Sequence, residues 1–353
     1  MQTDSVELGF LSIFALITFF IFLITNKYSY RLKNGVLLDQ DFSKPQAFHE
    51  QGITRSGGIA ILISLFLFLG IYYLLFSKIL YDYIFISISL FFVGCFGDIK
   101  ININPNIRLT LMIIFLVVII NFLPIKIYNI DLFFLKPLLT NKIFSTFFVL
   151  LCFLFIINGA NLIDGFNGLL AINLIIINSI LLFINLNNNQ LEFSLFLTAQ
   201  IIILISFLLF NFPEAKIFLG DSGSYLLGSL VALNTIITNN LNTNISSFFF
   251  CILLFYLFFE VFFSFVRKLC QKKSPVLPDR EHLHMLCYKK IHQIFDSKKS
   301  NYINSIIINF IYLILVFPSI YYADNNIVCK YWFFGLILTY TLFYFRLYRL
   351  TKN

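Results

Sequence analysis

Asp221 stands where a polar turn opens onto an apolar stretch: Asn211-Phe-Pro213 leads through Lys216 into Gly220-Asp221-Ser222-Gly223-Ser224. Free backbone N–H groups at a helix N-terminus attract phosphate, and an adjacent carboxylate suits Mg2+ that bridges phosphate oxygens. The plainer reading is capping of that helix by Asp221 or Ser222. The segment Asn161-Leu-Ile-Asp164-Gly-Phe-Asn167-Gly168 poses the same choice. Its acid lies between two apolar runs, where a carboxylate is costly to desolvate and needs a partner or a ligand. Gly165 and Gly168 let the backbone turn and approach a bound group, whereas a polar turn with Asp164 as N-cap needs no ligand.

Three further constellations carry weaker signals. Asp98, in Gly94-Cys-Phe-Gly97-Asp98-Ile-Lys100, is followed by Pro105 and Arg108; an acid trailed by bases positions a phosphate or forms a solvated ion pair. His282-Leu-His284 follows Asp279, and two histidines at i, i+2 point the same way in an extended segment, so both could meet one phosphate or ion. Two ordinary loop histidines are the plainer reading, and a zinc site does not fit because no Cys or further His stands at ligand-like spacing. The first loop holds Lys44-Pro45, His49 and Arg55-Ser-Gly57-Gly58, which suits a phosphate or an anchor on anionic lipid.

The elements that must position these residues are membrane spans. Of 353 residues, 59% are hydrophobic and 12% charged, a composition far from that of soluble domains. Apolar runs fall at 8–26, 57–76, 83–97, 109–123, 144–160, 168–187, 194–211, 222–238, 247–266, 303–322 and 331–346. Most match the length of a helix crossing a hydrocarbon core of about 30 Å. The expected fold is therefore an all-α polytopic membrane protein of about eleven transmembrane helices in one integral domain, 1–353. Six cysteines without paired spacing argue against a disulfide framework.

Charge then orients the bundle. Twenty of the 25 Lys and Arg residues fall in alternate loops and the C-terminal tail; the other five are Lys78, Lys126, Lys136, Lys142 and Lys330. Basic residues favour the cytoplasmic side, so the N-terminus is expected outside and the C-terminus in the cytoplasm. The net charge of +8 then belongs to membrane topology rather than to nucleic acid. On this parity the loops 27–56, 98–108, 161–168, 212–222 and 267–302 all share the cytoplasmic face and can form one active site.

In this order the segments resemble the polyprenyl-phosphate N-acetylhexosamine-1-phosphate transferases (glycosyltransferase family 4). That family includes the phospho-MurNAc-pentapeptide translocase and the undecaprenyl-phosphate GlcNAc-1-phosphate transferases. The resemblance spans roughly residues 40–290, and NLIDGFNG, IFLGDSGS and PDREHLH are similar to the GlcNAc-1-phosphate branch. It implies a bacterial inner-membrane enzyme that uses Mg2+ (or Mn2+) to pass GlcNAc-1-phosphate from a UDP-sugar to undecaprenyl phosphate. UMP would be released as synthesis of a lipid-linked glycan such as O-antigen begins. It also implies that Asp221 holds the metal and that Asp98, Asp164, His282 and His284 are catalytic. Substrate would meet Lys44, Arg55, Asn161, Asn167 and Asn211. A homodimer is compatible with the sequence but encoded by no residue in it.

Two positions depart from the family pattern: Gly97 replaces the first of two adjacent acids, and Asn167 replaces the second acid of a DGxD pattern. Gly97 keeps open a catalytically silent relative that binds polyprenyl phosphate or scaffolds an assembly complex. A transporter would place ionisable residues near the bilayer midplane, and only Glu260 lies well inside an expected span.

Overall fold

The computed structural model describes residues 2–31, 35–40, 52–101, 103–274 and 279–352. The described residues are mostly helical: α1 (Gln2–Arg31), α2 (Gly57–Phe76), α3 (Tyr81–Asp98), α4 (Pro105–Phe122), the single turn α5 (Lys136–Leu139), α6 (Lys142–Ile163), α7 (Leu169–Asn187), α8 (Leu191–Asn211) and α9 (Gly220–Leu241). There follow α10 (Ser247–Leu253), α11 (Phe255–Cys270), α12 (Leu283–Ile291), α13 (Ser297–Val316), a 3-10 stretch at Phe317–Tyr322, and α14 (Asn326–Lys352). Among the described residues nine helices are long and apolar enough to cross a membrane, or ten if α10 and α11, bent by 75° at Leu254, form one broken span. The protein is a multi-pass membrane protein.

The expected span at 222–238 is a helix, but α9 is not among those nine. Its position in the bundle explains why. α9 packs against α2, α3, α6 and α7, and nearly every residue from Ser222 to Asn239 is buried. A helix sheathed by other helices touches little lipid, so it can carry Gly223, Ser224, Gly228, Ser229 and Ala232, small residues that let backbones approach closely.

Polar side chains in such a core must find partners inside the protein. Asn234 of α9 accepts from the Tyr83 hydroxyl of α3 (2.7 Å) and donates to Asn178 of α7 (3.0 Å) and Gln200 of α8 (2.9 Å). One side chain thereby ties four helices in register.

At one end of the bundle the chain before α2 is brought onto the entry to α9. A short antiparallel ladder pairs β1 (Leu38–Asp39) with β2 (Ile53–Thr54), and Thr54 bridges to Ile217. The N–H groups of Gly57 and Gly58 donate to the carbonyls of Phe218 and Leu219 at 3.0 and 2.9 Å.

Candidate active site at the entry to α9

Three helix ends meet at Asp221. Asp98, the last residue of α3, is 2% exposed and accepts the backbone N–H of Asp221 through Oδ1 and that of Ser222 through Oδ2, both at 2.9 Å. An anion at a helix N-terminus satisfies its orphan donors and its macrodipole. The N–H groups expected to receive a phosphate there are thus held by a side chain from another helix. Neither Asp221 nor Ser222 is the cap. Gly220 makes the fit: its φ is +76°, and a Cβ there would fall 2.6 Å from the Asp98 carboxylate oxygens.

The Asp221 side chain is left to other partners. Its Oδ1 accepts from Asn161 Nδ2 at 3.0 Å, the same amide reaching Ser224 Oγ at 3.0 Å. Its Oδ2 lies 2.5 Å from Nη1 of Arg108, in the first turn of α4. That turn begins with Asn104, whose side chain caps Asn106, and with Pro105 at the first helical position. Arg55 completes the cluster. It pairs with Asp39 (Nη2 to Oδ2, 2.7 Å) and stands 3.7 Å from Asp98. Lys44 lies outside the described residues.

Asp164 closes α6 as its C-cap, whereas Gly168, in the left-handed region, precedes α7; the N-cap reading of Asp164 is therefore corrected. The left-handed backbone needed before α7 suits glycine rather than a capping acid. Burial, reinforced by the negative charges of Asp221 and Asp98, holds the Asp164 carboxyl well above the usual carboxylate range. Asn167 and Asn211 brace the surrounding loops. The Asn167 amide donates to the Pro213 carbonyl (2.9 Å) and its N–H to Asn301 Oδ1 (2.8 Å). Asn211 accepts the Gly168 N–H (2.7 Å) and donates to the Ile217 carbonyl (2.9 Å).

The histidine pair sits on protein partners. His282 is the N-cap residue of α12, with extended backbone, and His284 lies in the first turn, so the expected extended segment gives way to a helix after His282. The rings still stack, with centroids 5.5 Å apart. His282 Nδ1 is 3.1 Å from Glu260 Oε1 and its Nε2 is 3.4 Å from Asp279 Oδ1. Glu260 also accepts the Leu283 N–H at 3.1 Å and the Tyr340 hydroxyl at 2.5 Å. This acid anchors the histidine loop to α11 and α14. His284 is fully enclosed, and burial above all pulls it down to about 3, so it is neutral. Its edge meets Phe166 at a 5.8 Å centroid distance, which joins α12 to the Asp164 loop.

Described residues from each of the five polar segments meet at one end of the bundle. Arg55, Asp98, Asn161 and Asp221 form one polar cluster, and the histidines adjoin it through Phe166. Asp39 enters as a partner that the sequence did not single out, and Arg108, read there only as a base trailing Asp98, pairs with Asp221 instead. A base in the first turn of a helix that follows an acid was the only signal for Arg108.

Comparison with known proteins places this arrangement. A family model described as glycosyl transferase family 4 matches residues 80–239, which include Asp98, Arg108, Asn161, Asp164 and Asp221. A phospho-N-acetylmuramoyl-pentapeptide-transferase of Dictyoglomus turgidum is 31% identical over 240 residues, covering 63% of this chain and 73% of that protein. The chain belongs to glycosyl transferase family 4. Within that family, an undecaprenyl-phosphate alpha-N-acetylglucosaminyl 1-phosphate transferase of Thermotoga maritima is 28% identical over 277 residues, covering 78% of this chain and 80% of the relative. A probable undecaprenyl-phosphate N-acetylglucosaminyl 1-phosphate transferase of Bacillus subtilis is 30% identical over 133 residues, 36% of each chain. This member of glycosyl transferase family 4 is thus similar to proteins named for N-acetylmuramoyl-pentapeptide transfer and for N-acetylglucosaminyl 1-phosphate transfer.

Proposed function

We propose that the protein transfers an N-acetylhexosamine-1-phosphate, GlcNAc-1-phosphate being the best supported, from a UDP-sugar to undecaprenyl phosphate. UMP is released at the cytoplasmic face of a bacterial inner membrane, and a lipid-linked cell-envelope glycan such as O-antigen is begun. The observation that carries this reading is the meeting of Asp98, Asn161 and Asp221 with Arg55 and Arg108 at one end of a membrane bundle. A polyprenyl tail cannot leave the bilayer, so acceptor and soluble donor must meet at such an end. The names of the Thermotoga and Bacillus relatives support GlcNAc-1-phosphate as the group transferred.

The basic bias of alternate loops supports an external N-terminus and a cytoplasmic C-terminus. This parity needs an odd number of crossings, and α9 counted with the nine apolar helices and the bent pair gives eleven. At 22 residues, α9 rises about 33 Å, enough to cross.

Among the described residues no three His, Cys, Asp or Glu side chains form a metal cluster. The donor set still fits Mg2+, and Mn2+ after it, because such an ion is held by one or two carboxylates and by the phosphates of its substrate. Asp221, with the Asn161 amide beside it, would hold the ion. Bound there, Mg2+ supplies charge neutralisation and a template for the pyrophosphate.

A phosphate monoester has a second pKa of about 6, so the lipid phosphate is largely dianionic at neutral pH and needs no strong base. One of its oxygens attacks the β-phosphorus of the UDP-sugar. The bond from that phosphorus to the bridging oxygen breaks, and UMP leaves with the electron pair. Arg55 and Arg108 offset the charge of the assembled phosphates, and Asp98 keeps the entry to α9 fixed while they are bound. His282 and His284, as placed here, shape the site through Phe166. Purified protein given Mg2+, undecaprenyl phosphate and UDP-GlcNAc is expected to release UMP, and Asp221→Ala to release none. Turnover with UDP-GalNAc instead would change the sugar and keep the reaction. Absence of turnover with every UDP-sugar would contradict the reading.

A further inference from the structure

We propose that Arg108 is the resident counter-ion of Asp221 and surrenders it to the divalent cation only when the donor's diphosphate arrives. This rests on the reading of Asp221 as the metal-holding residue. Both oxygens of Asp221 are engaged, Oδ1 by Asn161 and Oδ2 by Arg108 at 2.5 Å. A cation reaching Oδ2 must displace the guanidinium.

Gly97 makes the pair possible. A Cβ at position 97 would lie 2.6 Å from Asp221 Oδ2 and 3.2 Å from Arg108 Nη1, so a side chain there would crowd both partners. The missing acid at 97 and the tight Arg108–Asp221 pair are therefore two sides of one arrangement. Position 97 offers no carboxylate for a divalent ion, Asp98 is taken up in capping α9, and an internal cation occupies Asp221.

The Arg108 pose is also incomplete. Its Nε is buried without a hydrogen-bond partner among the described residues, although a buried donor left unpaired is unfavourable. A diphosphate answers both deficits. It supplies oxygens for the divalent ion, and it gives the guanidinium an anion of the geometry that Arg binds bidentately. Each event is weak alone and favourable with the other. Such coupling is reciprocal, so UDP raises the affinity for the ion by the factor by which the ion raises the affinity for UDP.

The test measures Mn2+ binding to the full chain in detergent by electron paramagnetic resonance, with and without UDP, alongside UDP binding by calorimetry. In the unaltered protein Mn2+ is expected to bind at least about tenfold more tightly with UDP than without, a coupling of ordinary size. Arg108→Gln is expected to bind Mn2+ more tightly in the absence of UDP and to lose most of that ratio. Arg108→Lys, which keeps a cation, should retain part of it, and a thermal unfolding curve establishes that each variant is folded. If UDP-free Mn2+ affinity and the UDP ratio are the same in Arg108→Gln as in the unaltered protein, the exchange is overturned while the donor site stands. If UDP fails to bind with or without Mn2+, the donor-site reading fails and the exchange falls with it.

Discussion

The carboxylate of Asp98 caps the helix that begins beside Asp221: across 123 residues of sequence, its Oδ1 takes the Asp221 N–H and its Oδ2 the Ser222 N–H, each at 2.9 Å. The site is thus built on a helix cap supplied from α3, and Asp98 fixes the backbone of the residue proposed to hold the metal. Asp98→Ala removes the cap and strands two N–H groups, at a cost of about 3 kcal/mol. Asp98→Asn keeps one acceptor and should lose about half as much. Thermal unfolding in detergent should rank the unaltered protein above Asn and Asn above Ala. An Ala variant as stable as the parent would contradict the capping role.

Glu260 holds three donors at once, His282 Nδ1, Leu283 N and Tyr340 Oη. Glu260→Ala leaves all three without their acceptor, and a loss of about 3 kcal/mol or more follows. Tyr340→Phe removes one bond and should cost about 1 kcal/mol. Limited proteolysis should also cut the 267–290 segment faster in Glu260→Ala, since its tether to the membrane helices is gone. Equal cutting rates would show that the segment is held elsewhere.

His284 predicts a pH effect of known sign. The folded protein keeps it neutral down to about 3, whereas the unfolded chain takes up a proton near the ordinary value of 6.5. Stability from this group is complete above pH 6.5 and falls as pH drops towards 3, by at most about 1.4 kcal/mol per pH unit. His284→Gln should flatten that part of the acid limb. An unchanged slope between pH 6.5 and 4 would refute it.

Asp164 works in the opposite sense. Its carboxyl is raised in the folded protein, through burial first and then through Asp221 and Asp98. Above the ordinary carboxylate value of 3.8 the unfolded chain ionises first, so the group costs stability increasingly as pH rises. In the metal-free protein with a chelator present, Asp164→Asn should be more stable than the parent at pH 8 and indistinguishable from it below about pH 4. A gain that is largest in acid would have the wrong sign.

How much of this was legible in the sequence depends on the range of each interaction. Helices that face lipid announce themselves as apolar runs, and Gly57–Phe76 begins and ends where its run does. The helix α9 gave a weak run because its neighbours, and not lipid, surround it. The 75° bend at Leu254 had no signal, since Leu254 and Phe255 continue an apolar stretch without Gly or Pro. The motifs around Asp98, Asn161 and Asp221 were readable as polar islands. Their division of labour was not: which acid caps and which pairs with Asn161 and Arg108 depend on partners 60 to 123 residues away. Glu260 had the same problem, because its contacts with Tyr340 and His282 make an acid that read as lying inside a span into an anchor.

The central claim is attack at phosphorus, with the β-phosphate travelling with the sugar. UDP-GlcNAc labelled at its β-phosphorus, incubated with the purified protein, Mg2+ and undecaprenyl phosphate, tests it directly. The account predicts label in the lipid product and unlabelled UMP in solution. Label remaining in soluble UDP while sugar appears on the lipid would mean attack at the sugar carbon, and would contradict it.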